Sequence, residues 1–187
     1  WRLHVADRYS KEYFSDFSGA LISSKDSYIE KLIKDLKKAH PMKRIGVINP
    51  HGKTKFTKLK QFGFKNYQKI VNMTKDKFIF IQVGLRNEEC LNSIDFDARG
   101  KTLPFLVNLI SYCDFVLADE GLNNHIARSF TNITSYVPYS LFSEPSHFSY
   151  QNTFILGSPQ DIKRLKKEVC FSMEDKPSKY LIDVKYI

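Results

Sequence analysis

An acidic residue and a glycine, Glu120 and Gly121, directly follow the apolar run 115–118 and precede a histidine, His125. The residues after the glycine, 122–130, are predicted to form a helix. At such a strand-to-helix turn the glycine lets the backbone approach a ligand, and the first N–H groups of the helix favour an anion. A carboxylate beside the turn can accept hydrogen bonds from hydroxyl groups. The pattern therefore favours a ligand with both phosphate and hydroxyl groups, and a nucleotide sugar has both.

A basic loop, residues 50–62, follows an earlier predicted strand and contains Lys53, Lys55, Lys58 and Lys60. The loop is neither a Walker A motif nor a GxGxxG motif. A lysine in it could still neutralise a pyrophosphate, because an ammonium group is a compact positive charge on a long stem. The alternative interpretation is a solvated basic loop without a ligand.

Two acidic residues, Glu88 and Glu89, follow Gly84 at the end of another predicted strand. At this point of a doubly wound fold, an acid can hold the hydroxyl groups of a ribose. The alternative is a surface acid that caps the predicted helical turn 86–91.

No catalytic triad, cysteine–histidine pair or metal-ligand spacing is recognisable in the sequence. His125 could donate to a phosphate, or it could be a structural histidine bonded to the backbone. Asp119 and Glu120 are adjacent at a strand end and are expected to point to opposite sides, so they are not expected to act as a general acid and base pair.

The elements that must position these side chains alternate along the chain. Apolar runs and helical patterns recur at intervals of ~30 residues, which is typical of βαβ units around a parallel sheet. The predicted strands are 44–49, 78–83, 115–118, 133–137 and 153–156, and the predicted helices are 26–36, 64–73, 103–113, 122–130 and 159–169. The sequence therefore predicts an α/β, Rossmann-like, doubly wound parallel sheet.

Ligands of such sheets bind beyond the carboxyl ends of the strands. The predicted loops at those ends are 50–62, 84–89, 97–102, 119–122 and 138–150. Every polar cluster described above falls in one of them. We expect residues 1–42 to form a helical N-terminal segment or linker, and residues 43–187 to form the Rossmann-like domain.

Composition limits the classes of function. The chain has 187 residues, 42% of them apolar and 26% charged, as in a globular domain with a core of its own. The net charge of +9 favours anionic partners, but the lysines are spread out and most aromatic residues lie in apolar runs. A nucleic-acid groove is therefore not expected. Three dispersed cysteines indicate neither a zinc site nor a disulfide framework, and are expected to be reduced in a cytosolic protein.

The first residue is Trp1, not a methionine, and no signal peptide follows it. We expect a processed chain or a piece of a longer protein, so that part of the functional machinery could lie elsewhere.

The stretch 45–150 resembles the C-terminal half of glycosyltransferase family 9, the bacterial ADP-heptose transferases of lipopolysaccharide synthesis. The resemblance rests on short motifs in the family's order and spacing: Lys60-Gln61-Phe62 with Tyr67; Gly84 with Glu88 or Glu89; Asp97-Ala98-Arg99-Gly100-Lys101-Thr102-Leu103; and Glu120-Gly121 with His125 and Ala127, then Pro138 and Leu141-Phe142. Departures from the family pattern are Phe62 in place of tryptophan, Leu122-Asn123-Asn124 in place of small residues and methionine, and Ser143-Glu144-Pro145 in place of Gly-Pro-Thr.

The resemblance implies the GT-B architecture, in which two Rossmann-like domains face each other across a cleft, and this chain resembles the second of them. It implies a donor site for a nucleoside-diphosphate sugar, with an ADP-sugar carrying heptose or another hexose-like sugar favoured, and no cofactor or metal. In that site Lys60 would neutralise the pyrophosphate and Glu88 or Glu89 would hold the ribose. Lys101 is placed there by its motif. Glu120 would bind sugar hydroxyls, and Gly121 and Leu122 N–H groups with His125 would hold phosphate.

The same resemblance implies an inverting transfer to a lipopolysaccharide or other surface glycan acceptor. The partners it implies are a glycan or lipid-linked acceptor, an N-terminal Rossmann-like domain that supplies the catalytic residues, and a membrane surface. Nucleic acid is not among them. The implied location is the cytoplasm, at the inner face of the bacterial inner membrane. The alternatives are a nonenzymatic nucleotide-binding module that retains the fold and, third, a basic nucleic-acid-binding domain.

Overall fold

A single parallel sheet organises the chain in the computed structural model, which describes residues 26–52, 61–130, 132–138 and 153–156. The sheet has six strands in the order β3-β2-β1-β4-β5-β6, and every neighbouring pair is parallel. The strands are β1 (Arg44–Asn49), β2 (Phe78–Gln82), β3 (Phe96–Asp97), β4 (Phe115–Ala118), β5 (Thr134–Pro138) and β6 (Thr153–Leu156). This strand order is that of a dinucleotide-binding Rossmann fold, so the predicted fold class is confirmed.

Four helices in the described part of the chain connect or flank these strands: α1 (Ser27–Ala39), α2 (Phe64–Thr74), α3 (Leu103–Ser111) and α4 (Leu122–Arg128). Asp26 caps the start of helix α1, because its carboxylate accepts the Tyr28 and Ile29 N–H groups. Thr102 caps the start of helix α3 by accepting the Phe105 N–H. Pro104 fits in the first turn, where the missing N–H of a proline is not needed for a helical hydrogen bond. None of the helices in these described ranges is long and apolar enough to cross a membrane.

The central strands are buried on both faces because helices cover both sides of the sheet. One core contains Ile45, Val47 and Ile79 and is covered by helices α1, α3 and α4. The other contains Phe80 and Phe115 and is covered by helix α2. Residues of one strand therefore alternate between two separate cores. Helix α1, which belongs to the segment assigned to a linker, contributes buried isoleucines to the first core.

The second core is rich in aromatic rings, and the Phe115 ring occupies space that a side chain at position 46 would fill. Gly46 of β1 lies beside Phe115 of β4 in the register of the sheet. A Cβ at Gly46 would overlap the Phe115 ring. Phe115 also packs edge-on against Phe78 and Tyr136, with ring centroids 5.0 and 5.8 Å apart. The glycine thus makes room for the ring at the centre of this core.

Two sequence predictions need correction. Residue Asp97 was expected in a loop but forms strand β3 with Phe96, pairing with the end of β2. Two residues are too few to show a periodic pattern. The expected helical turn over 86–91 is a single hydrogen-bonded turn in which the Glu88 N–H donates to the Leu85 carbonyl. The predicted helix 159–169 and loop 138–150 lie outside the described residues, apart from Pro138.

Candidate functional site

The crevice of the sheet lies where the strand order reverses, between β1 and β4. The chain leaves β1 towards β2 on one side, and leaves β4 towards β5 on the other. Asn49 and Ala118 are partners in the register, so the loops that follow them start side by side. Ligands of open α/β sheets bind at this position. The basic loop after Asn49 and the Asp119–Gly121 turn after Ala118 are therefore its two walls.

Asp119 joins these two walls. Its Oδ1 accepts a hydrogen bond from the Tyr67 hydroxyl at 2.6 Å. Its two carboxylate oxygens lie 3.2 and 3.3 Å from the Phe62 nitrogen, whose N–H donates to them. Burial raises the pKa of Asp119 to about 7, and the two hydrogen bonds oppose the shift without cancelling it. Sequence reasoning did not assign this residue a role, because its partners lie more than fifty positions away.

The turn after Asp119 is held from the other side by Asn124. The Gly121 N–H donates to Asn124 Oδ1 at 2.9 Å, and Asn124 Nδ2 donates to Ser135 Oγ at 3.0 Å. Asn124 is fully buried. The Gly121 N–H is therefore already bonded within the protein, which leaves the Leu122 N–H as the first of the helix that faces no such partner among the described residues. Leu122 itself is 56% exposed.

Gly121 has an extended backbone, so its glycine is not required by a left-handed conformation. A Cβ there would meet, among described atoms, only the Asp119 carbonyl oxygen at 3.9 Å. The space over Gly121 is open within the described part of the chain. Glu120 and His125 flank it and are both half-buried. The structure thus places Glu120, Gly121 and His125 in one turn and the start of one helix, as the sequence predicts.

Glu88 and Glu89 lie beyond β2 in different surroundings. The Glu88 carboxylate accepts the Leu85 N–H at 2.7 Å and closes its own turn, as the capping interpretation predicts. Gly84 has a φ of 142°, and a Cβ there would overlap that carboxylate. Glu89 is exposed, and its carboxylate has no partner among the described residues. Of the two acids, Glu89 is therefore the one whose carboxylate is not used by the loop itself.

The backbone of this acidic turn is fixed by three neighbouring elements. The Glu89 carbonyl accepts from Gln82 Nε2 at 2.8 Å and lies 3.0 Å from His51 Nε2. Arg99 donates to the Glu88 carbonyl. Because His51 follows β1 and Arg99 follows β3, the turn after β2 is tied to the strand ends on both sides. The carboxylate of Glu89 thus extends from a backbone that is hydrogen-bonded to its neighbours.

Arg99 also bonds Asp97 through Nε and Nη2, at 2.8 and 2.7 Å. The hydrogen bonds from Arg99 lower the pKa of Asp97. Lys101, two positions further, is exposed, with its Nζ over the Phe105 ring at 5.5 Å from the centroid. The structure places Lys101 at the carboxyl edge but in contact with helix α3. Its proposed ligand role stays a prediction.

Lys60, the residue expected to neutralise a pyrophosphate, lies outside the described residues, together with the rest of 53–60. The structure describes the chain again from Gln61, directly before helix α2. Across the described ranges, no group of three histidine, cysteine, aspartate or glutamate side chains could hold a metal ion. Cys113 is buried, and its burial raises the pKa of the thiol, as expected of a structural cysteine.

Comparison with known proteins shows what this architecture resembles. No protein family profile matches the sequence, and no curated protein is significantly similar to it. Solved structures do match. The glycosyl transferase of family 9 from Veillonella parvula has a TM-score of 0.56 at 12% identity, over 86% of this chain and 49% of that chain. Most of this chain thus has the fold of about half of a family 9 glycosyltransferase.

Two Escherichia coli enzymes give the same result. The ADP-heptose lipopolysaccharide heptosyltransferase II matches with a TM-score of 0.52 at 11% identity, over 79% of this chain and 51% of that chain. The heptosyltransferase WaaC, solved with ADP, matches with a TM-score of 0.53 at 10% identity, over 89% of this chain and 56% of that chain. The chain thus spans about half the length of the glycosyltransferases whose fold it shares.

Proposed function

We propose that this chain is the donor-binding half of a glycosyltransferase and binds a nucleoside-diphosphate sugar at the crevice between β1 and β4. The observation that carries the proposal is the position of the Glu120–Gly121 turn. It lies at the switch point of a sheet whose fold is shared with family 9 glycosyltransferases. Because one of the similar structures is an ADP-heptose transferase and another holds ADP, an ADP-sugar is the favoured donor.

The described contacts support separate roles for the residues that would bind the diphosphate, the sugar and the ribose. The diphosphate would lie over Gly121, where there is space, and would accept hydrogen bonds from the Leu122 N–H and from the His125 ring. Glu120 would accept hydrogen bonds from sugar hydroxyls. Glu89 would hold the ribose, because its carboxylate is exposed while that of Glu88 closes a turn.

Lys60 would neutralise the pyrophosphate from the basic loop. Lys101 would add positive charge at the carboxyl edge. Together with His125 these groups would stabilise the negative charge that develops on the leaving nucleoside diphosphate. In an inverting transfer, an acceptor hydroxyl attacks C1 of the sugar from the face opposite the leaving group, so the C1–O bond to the diphosphate breaks as the new bond forms.

A second Rossmann-like domain would bind the acceptor and would supply the base that activates its hydroxyl group. The similar structures are about twice as long as the part this chain matches, which leaves room in them for such a domain. A lipopolysaccharide or other surface glycan acceptor, and a location at the cytoplasmic face of a membrane, are the corresponding proposals for the whole protein. This chain alone is expected to bind a donor without transferring its sugar efficiently.

Thermal unfolding in the presence of ADP tests the donor site. A ligand at 100 times its dissociation constant stabilises the folded state by about 2.7 kcal/mol, so a saturating concentration should raise the melting temperature by several degrees. Lys60→Ala should reduce that rise. Lys77→Ala, which removes an exposed lysine directly before β2 at the opposite, amino edge of the sheet, is the matched control and should not. If no nucleoside diphosphate or nucleoside-diphosphate sugar stabilises the chain at millimolar concentration, the proposal is wrong.

A further inference from the structure

A single carboxylate bridges three elements around the crevice. Asp119 stands at the end of β4, accepts from Phe62 where the chain returns from the basic loop, and accepts from Tyr67 of helix α2. We propose that Asp119 is a positioning residue of the donor site, which sets the distance between its two walls and does not itself touch the ligand. The proposal rests on the proposed function and assigns a role to a residue that the donor-binding set leaves out.

The wall after β1 is fixed through the backbone of Phe62. Its N–H donates to Asp119, and its carbonyl accepts from Asn66 Nδ2 at 2.6 Å. The Phe62 side chain is 5% exposed and packs edge-on against Tyr67, with ring centroids 5.5 Å apart. Tyr67 is fully buried. Both polar groups of the Phe62 peptide are therefore bonded, and the bond to Asp119 is the one that crosses to the other wall.

The wall after β4 is fixed by the position of Asp119 in the chain. Asp119 immediately precedes Glu120 and Gly121, and Gly121 is held on its far side by Asn124. The Glu120 carboxylate and the open space over Gly121 thus lie between two anchors. If the hydrogen bonds to Asp119 weaken, the Asp119–Gly121 turn can move relative to the backbone at Phe62. A ligand that contacts both walls would then lose affinity.

The strength of this anchor depends on the charge of Asp119. An ionised carboxylate accepts from both donors, and hydrogen bonds to an ionised acceptor are about twice as strong as neutral ones. Burial raises the pKa of Asp119 to about 7, so the anchor changes strength near neutral pH. Among the described residues, Tyr67 is the titratable group that contacts Asp119. Glu120 is its acidic neighbour in the chain. His51 and His125 are the histidines at the same edge of the sheet.

The probe for the test is ADP-ribose, whose pyrophosphate keeps a constant charge where the terminal phosphate of ADP titrates. We expect wild-type affinity to rise roughly tenfold as the pH increases through 7, since a charge-assisted hydrogen bond replaces a neutral one. Asp119→Asn, neutral at every pH, should bind weakly throughout, with the affinity that the wild type has at low pH. Tyr67→Phe removes a donor that lowers the pKa of Asp119, so its profile should shift to higher pH.

Controls separate the anchor from general effects. Tyr136→Phe makes the same substitution in the same aromatic core, where Tyr136 packs on Phe115; among the described residues the hydrogen bonds to Asp119 come from Phe62 and Tyr67. Its profile should match that of the wild type. His51→Gln should leave the midpoint near 7. A wild-type profile that is flat, that survives in Asp119→Asn, or that falls with rising pH overturns the proposal; a fall would mean that the carboxylate acts by repelling the ligand.

Hydrogen exchange of the ligand-free chain tests the anchor independently of the donor. The Phe62 amide should exchange at least tenfold faster in Asp119→Asn and Asp119→Ala than in the wild type and Tyr136→Phe, because its acceptor is weakened or removed. Equal exchange in all four proteins overturns the proposal even if ADP-ribose binds. If exchange is faster as expected but the wild type does not bind ADP-ribose, the anchor exists and the proposed donor function fails.

Discussion

The buried carboxylate of Asp119 makes a specific prediction about stability and pH. Its pKa is raised on folding from 3.8 to about 7 by burial. The folded protein therefore holds a proton on Asp119 over a range in which the unfolded chain does not. This contribution to the free energy of unfolding is fully present below the unfolded pKa of 3.8 and is lost as the pH rises through about 7.

The size of the effect follows from the two pKa values. Integrating the difference in bound protons from about pH 5 to about pH 8 gives a loss of about 2.5 kcal/mol in the wild type. Asp119→Asn keeps an acceptor for the Tyr67 hydroxyl but cannot ionise, so it should lack this loss. The variant should therefore gain about 2.5 kcal/mol relative to the wild type between the two pH values, whatever its stability at the lower one.

Urea unfolding of both proteins at the two pH values measures this difference directly. Comparing wild type and variant cancels the contributions of all other titrating groups that the substitution does not touch. Tyr136→Phe serves as the control and should show the pH dependence of the wild type. If the stability difference between Asp119→Asn and the wild type is the same at both pH values, Asp119 is not a buried carboxyl with a raised pKa, and the account of this cluster is wrong.

Three glycine substitutions test other parts of the structure. Gly46→Ala should destabilise the fold by about 1–3 kcal/mol in urea unfolding, because its Cβ would overlap the Phe115 ring; an unchanged stability would contradict the packing of that core. Gly121→Ala should keep the stability within about 1 kcal/mol but weaken ADP binding more than tenfold, since its Cβ fills open space. Unchanged binding would place the ligand elsewhere. Gly84→Ala should lower the melting temperature by several degrees, because its left-handed φ and the Glu88 carboxylate both exclude a side chain; a wild-type melting temperature would refute that geometry.

Much of the fold could be predicted because the central strands are continuous apolar runs. The runs 44–49, 115–118 and 153–156 became strands with the predicted bounds. The first two are central strands whose residues are mostly buried, and the third pairs with β5 at the edge of the sheet. Strand β3 could not be predicted, because its two residues owe their conformation to pairing with Ile81 and Gln82 of β2. The strand order itself depends on which strands pair, and periodicity alone does not contain that information.

The candidate site was predictable where function depends on local spacing, and not where it depends on distant partners. Glu120, Gly121 and His125 lie at one strand-to-helix turn because they are close in sequence. That Asn124 binds the Gly121 N–H was missed, because the sequence lacks the usual serine or threonine capping pattern and the buried amide is oriented by the distant Ser135. Asp119 was missed for the same reason, as its partners come from another helix and another loop.

Amide chemical shifts during a titration with ADP-ribose test the central claim most directly. Binding at the crevice predicts perturbed amides in the turn 119–122 and in the turn 84–89, with those of the opposite edge, such as Lys43 and Lys77, unchanged. The perturbations should saturate below a few millimolar ligand. This is expected for a dissociation constant in the micromolar range, which corresponds to a binding free energy on the order of −8 kcal/mol. Shifts confined to the amino edge of the sheet, or no shifts at any concentration, would contradict the claim that this chain binds a nucleotide sugar.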